Sequence, residues 1–82
     1  MTVLRYWAAA KEAAGTATDE VTAGTLAEAL SVARERHEER FTTVLERCAF
    51  VVDGDPVGLR DHAAVPVRPD SQVDVLPPFA GG

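Results

Sequence analysis

Read from the N-terminus, apolar and polar residues alternate from Thr2 to Ala8, with Leu4, Tyr6 and Ala8 on one side and Val3, Arg5 and Trp7 on the other. Period-two alternation predicts a strand, and Arg5 marks the second side as the wetter one. Trp7 therefore falls away from the core. Ala9 to Ala14 is short, alanine-rich and followed by Gly15, which predicts a brief helix closed by a glycine cap. Thr18 to Thr22 predicts a second strand. Thr25 to Arg40 changes period: Leu26, Ala29, Leu30, Ala33 and His37 recur at helical spacing, with Glu28, Arg34, Glu35, Glu38 and Glu39 on the other sides. Thr25 and Glu28 have the spacing of a capping box at its start. Phe41 to Arg47 reads as loop with a turn of helix. Cys48 to Val52 is a dense apolar strand, and Asp53-Gly54 turns it into a second arm over Asp55 to Leu59. Arg60 to Asp70 reads as loop with an edge segment, leaving His62 in solvent. Gln72 to Leu76 closes the series, with Val73 and Val75 inward and Asp74 and Leu76 outward.

This order of strand, strand, helix, strand, short strand, strand predicts an α+β domain, a mixed sheet packed on one main helix. The arrangement is that of a β-grasp fold, with the first and last strands adjacent and parallel at the centre of the sheet. Residues 1–76 make the domain and residues 77–82 a flexible diglycine tail.

Eighty-two residues suffice for one small core and leave little room for a closed active-site cavity. An independent enzyme is not expected. A net charge of −5 disfavours nucleic acid and anionic membranes and favours a basic protein partner. The single cysteine, Cys48, excludes an internal disulfide and reads as a small buried hydrophobe. His37 has no second ligand at metal-binding spacing, so it reads as helix-end packing and no metal is expected. Neither a signal peptide nor a membrane span is legible, and a cytoplasmic location is expected.

The candidate chemistry lies at the end. Pro77 and Pro78 lack a backbone N–H and cannot extend a ladder, so they stiffen the exit from the last strand. The six residues from Pro77 to Gly82 span at most about 20 Å, at roughly 3.3 to 3.6 Å each. Gly81 and Gly82 carry no Cβ and can thread a narrow site. The Gly82 carboxyl is the candidate reactive group. By strand alternation, Trp7 and Leu76 form one exposed apolar patch beside the exit, unless the loop from Arg60 to Asp70 covers them.

Several stretches resemble the ubiquitin-like sulfur carriers of the MoaD/ThiS family, most of all the small subunit of molybdopterin synthase. These are Arg5-Tyr6-Trp7-Ala8, Lys11-Glu12, Gly15, Thr25 to Leu30, Val52-Asp53-Gly54, and a Pro-Pro-x-x-Gly-Gly ending at Gly82. Lys11 stands where that family usually has Arg. The resemblance implies a non-catalytic carrier that binds no cofactor itself. An ATP-dependent MoeB-like adenylyltransferase would activate Gly82, a sulfur donor would convert it to a 1-thioglycine thiocarboxylate, and a MoaE-like large subunit would receive it in a hetero-oligomer. Trp7, Leu76, Pro77, Pro78 and Phe79 would contact these partners. Other sulfur pathways, for thiamine, cysteine or a tungsten cofactor, and ubiquitin-like conjugation share the tail chemistry. A plain β-grasp interaction domain is the remaining alternative.

Overall fold

A computed structural model describes residues 1–78. The described residues form five strands and three helices in the order β1 (Thr2–Tyr6), α1 (Ala8–Ala14), β2 (Thr18–Val21), α2 (Leu26–Arg36), α3 (Glu39–Leu45), β3 (Ala49–Val52), β4 (Asp55–Pro56) and β5 (Gln72–Leu76), with a 3-10 turn at His62–Ala64 before β5. The strands form one mixed sheet in the order β2-β1-β5-β3-β4, with β1 and β5 parallel at its centre and the other pairings antiparallel. This is the β-grasp architecture that the sequence predicts.

One face of the sheet makes the core. Leu4, Tyr6, Phe50, Val73 and Val75 point inward and meet Leu26, Ala29, Leu30 and Ala33 of α2, with Ala10 of α1 and Phe41 and Leu45 of α3 closing the sides. Burial of these side chains is the main force holding the domain together. Thr25 caps α2 as its spacing predicts: its hydroxyl accepts from the Glu28 N–H at 3.2 Å and donates to the Glu28 carboxylate. Gly15 ends α1 in the left-handed conformation, at φ 72°.

Five expectations need correction. β1 ends at Tyr6, so Ala8 is not its third inward residue; it is exposed and begins α1 at φ 46°. The helix from Leu26 stops at Arg36, because His37 is extended and turns its ring onto Tyr6 and Phe41. The chain then starts a separate helix, α3, over Glu39–Leu45, where only a loop with a turn of helix is expected from Phe41 to Arg47, while α2 remains the main helix packed on the sheet. β4 covers only Asp55–Pro56 rather than reaching Leu59, since Gly58 turns at φ 61° and Arg60 folds back onto the carbonyls of Pro56 and Val57. Finally, His62 is half-buried, edge-on to Phe50 at 5.1 Å. The loop around it is part of the core's lid, with Val65 and Val67 buried.

Candidate functional site

The open face of the sheet carries the second set of alternating residues: Val3 and Arg5 of β1, Asp74 and Leu76 of β5, Ala49 and Val51 of β3. Register brings them side by side, with Arg5 opposite Asp74, and Leu76 opposite Ala49. Trp7 follows directly after β1. Its backbone is still extended, at φ −120° and ψ 150°, and its N–H continues the central ladder to the Val75 carbonyl at 3.3 Å. Its own carbonyl accepts from Ala10 and Lys11, so Trp7 is the hinge between the sheet and α1. Trp7 is 45% exposed and Leu76 37% exposed, which decides against their being covered by the loop from Arg60 to Asp70.

The two side chains border one groove. Trp7, Ala8, Leu76 and Pro77 line a groove of about 250 Å³, where the chain leaves the sheet. Pro77 is half-buried and Pro78 is exposed and outside the lining. Phe79, Gly81 and Gly82, the remaining predicted site residues, lie outside the described residues, as does most of the expected tail.

Strand alternation marks Arg5 and Asp74 only as polar neighbours, yet both hold the Trp7 ring. Asp74 Oδ1 forms an ion pair with Arg5, 3.1 Å from its Nε, and accepts from the Trp7 indole Nε1 at 3.0 Å. The Arg5 guanidinium lies 4.9 Å from the centroid of the same indole, a cation over a π face. The signal available in the sequence was positional: Arg5, Trp7 and Asp74 all fall on the open face, but their register across the sheet is a property of the fold.

A second polar cluster braces the opposite side. Asp19 Oδ2 accepts from the Tyr6 hydroxyl at 2.6 Å and lies 2.6 Å from His37 Nε2, while Arg36 lies 3.7 Å from its other oxygen. Burial raises the Asp19 carboxyl, but the hydrogen bonds from Tyr6 and His37 and the neighbouring charge of Arg36 more than offset it and hold the carboxyl below its usual range. Burial, and then the bond to Asp19, push the Tyr6 phenol far above its ordinary value. Burial likewise raises the Cys48 thiol to about 11, and its Sγ donates to the Val44 carbonyl, so the thiol is inert packing. Among the described residues, no group of three or more His, Cys, Asp or Glu could hold a metal ion, and no helix is long and apolar enough to cross a membrane.

Among the described residues, the groove beside Pro77 is the candidate site. Similar solved structures share this fold. The small archaeal modifier protein 1 of Methanosarcina acetivorans matches with a TM-score of 0.83 and 15% identity, over 99% of this chain and 95% of that one. The complex of subunits 1 and 2 of molybdopterin-converting factor from Helicobacter pylori contains a chain matching with a TM-score of 0.71 and 21% identity, over 99% and 97%. A chain of the Amycolatopsis orientalis BexX/CysO complex matches with a TM-score of 0.82 and 16% identity, over the full length of both. No curated protein matches the sequence significantly. The ThiS family matches residues 4–82, nearly the whole sequence, and the chain belongs to this family of ubiquitin-like sulfur carriers.

Proposed function

We propose that this chain is the sulfur-carrying small subunit of a molybdopterin synthase, delivering sulfur as a Gly82 thiocarboxylate to the pyranopterin precursor bound by a large subunit. The observation that supports the docking part of this reading is the groove of Trp7, Ala8, Leu76 and Pro77, an apolar surface beside the point where the chain leaves the sheet. A free carboxylate is a poor electrophile. Its oxygen must first attack the α-phosphorus of ATP on an activating enzyme, releasing pyrophosphate, before a sulfur donor can displace AMP. The folded domain supplies binding energy that holds the reacting end in place, and it needs no acid or base of its own. The Pro-Pro-x-x-Gly-Gly ending and the likeness to the Helicobacter pylori assembly support the molybdopterin assignment.

A second reading, a carrier for another sulfur pathway or a modifier conjugated to lysines, is favoured by the higher fold similarity to the archaeal modifier and the CysO complex. Intact mass after incubation with an activating enzyme, ATP and a sulfur donor tests what the readings share. The expected gain is that of one oxygen exchanged for sulfur, and an unchanged mass would reject the carrier function. Affinity for a molybdopterin synthase large subunit then separates the pathways. Trp7→Ala or Leu76→Ala is expected to weaken that binding more than tenfold, about the loss of roughly 2 kcal/mol that truncating an interface anchor brings. If the unaltered chain ignores the large subunit but forms isopeptide conjugates, the modifier reading replaces the first.

A further inference from the structure

An indole that is half in solvent ordinarily exchanges among side-chain rotamers, and ordering it on binding costs entropy. Trp7 is spared that freedom in the isolated domain. Its ring N–H is tied to Asp74 Oδ1, the same oxygen is ion-paired with Arg5, and the Arg5 guanidinium covers the ring. The backbone sets this geometry, because the parallel register of β1 and β5 fixes Arg5 directly opposite Asp74. We propose that Asp74 is a positioning residue for partner docking: its carboxylate locks the Trp7 indole in the orientation that walls the groove above Leu76 and Pro77.

The proposal rests on the reading that Trp7 is the docking anchor. Nothing in the core calls for Asp74, since its side chain projects from the open face and the buried residues of β5 are Val73 and Val75. A solvent-facing ion pair contributes little to stability. Preorganising an anchor, by contrast, removes part of the ordering cost of association. Asp74 therefore acts on recognition and hardly on folding.

The chain has a single tryptophan, so its indole N–H gives one resonance in a nitrogen-15 correlation spectrum. In Asp74→Ala this resonance is expected to move towards the position of a solvated indole, and in Asp74→Asn, which keeps an acceptor oxygen, to stay nearer the original. Gln72→Ala, on the same face of β5, leaves it in place. The ATP-dependent activating enzyme is the functional probe, because both pathways require it. Asp74→Ala is expected to raise the KM for the carrier about fivefold with kcat little changed, and to add nothing in a Trp7→Ala background, as coupled neighbours do. An unmoved indole resonance, or a full additional loss in the double variant, would overturn the proposal. A Trp7→Ala chain with unaltered KM would instead overturn the docking reading, while the spectrum still decides whether Asp74 holds the ring.

Discussion

Asp19 shows how one carboxylate can join three elements: it accepts from Tyr6 of β1, meets His37 beyond α2, and sits on β2 itself. Because its carboxyl titrates below the usual range, the stability it adds is complete above the ordinary carboxylate pKa, about 4, and is lost as pH falls through the lower folded value. Asp19→Asn is expected to cost about 2 kcal/mol at neutral pH, the usual worth of hydrogen bonds to a charged group. It should also flatten the acid limb of the stability profile, as urea titrations at a series of pH values would reveal. The role of His37 as helix-end packing was legible from its place after the apolar stripe. Its partner was not, because Asp19 is eighteen residues earlier on another element and no local spacing encodes that meeting. Ala8 is a different matter. At φ 46° its Cβ is held in the left-handed region, which costs a non-glycine residue roughly 1 kcal/mol or more. Part of the relief offered by glycine is cancelled by its freer unfolded chain. Ala8→Gly should therefore raise stability by about 0.5 kcal/mol in a denaturant titration, and a loss would show that the methyl group contributes packing that outweighs the strain.

Among the elements, α2 was the easiest to read and α3 the hardest, for the same physical reason. Helical periodicity accumulates with length, and the eleven residues of α2 repeat their apolar stripe with a cap at the start, whereas the seven of α3 show only Phe41 and Leu45 one turn apart. Removing the Thr25 hydroxyl tests the cap: Thr25→Ala should lower stability by about 1 kcal/mol and leave carrier activity intact at low temperature. Phe41, fully buried beneath Tyr6 and His37, is the larger contributor. Phe41→Ala should cost about 3 to 5 kcal/mol through lost transfer energy and the cavity left behind. Thermal denaturation ranks the pair, and an equal loss for both would mean that α3 is not part of the cooperative core. The over-long second arm of the hairpin has a similar cause. Asp55 to Leu59 looks like a strand by composition, but the positive φ of Gly58 and the reach of Arg60 act only once the turn has formed.

For the molecule as a whole, the central pairing of β1 with β5 and the groove beside it were legible, because alternation assigns faces and the order of elements assigns neighbours. The bond network on Trp7 was not, since it depends on rotamers. Appending one alanine after Gly82 is expected to leave the melting temperature unchanged and to abolish sulfur acceptance in the intact-mass assay. Normal acceptance without trimming would remove Gly82 from the proposed chemistry.

The two outer strands of the sheet share a device. On β2, the Glu20 carbonyl accepts from Arg36 Nη1 at 2.6 Å, and on β4, the Pro56 carbonyl accepts from Arg60 Nη2 at 2.9 Å, while Pro56 has no N–H to offer. Each margin thus has a main-chain acceptor already occupied by a guanidinium, and one margin also lacks a donor. A foreign strand seeking to zip onto this sheet meets stoppered ends, which guards against edge-to-edge polymerisation and closes the route by which many peptides are recruited. Under the proposed function, a carrier moving between enzymes has to let go of each, and recognition by a compact face would detach as a unit where an added strand would have to be peeled away bond by bond.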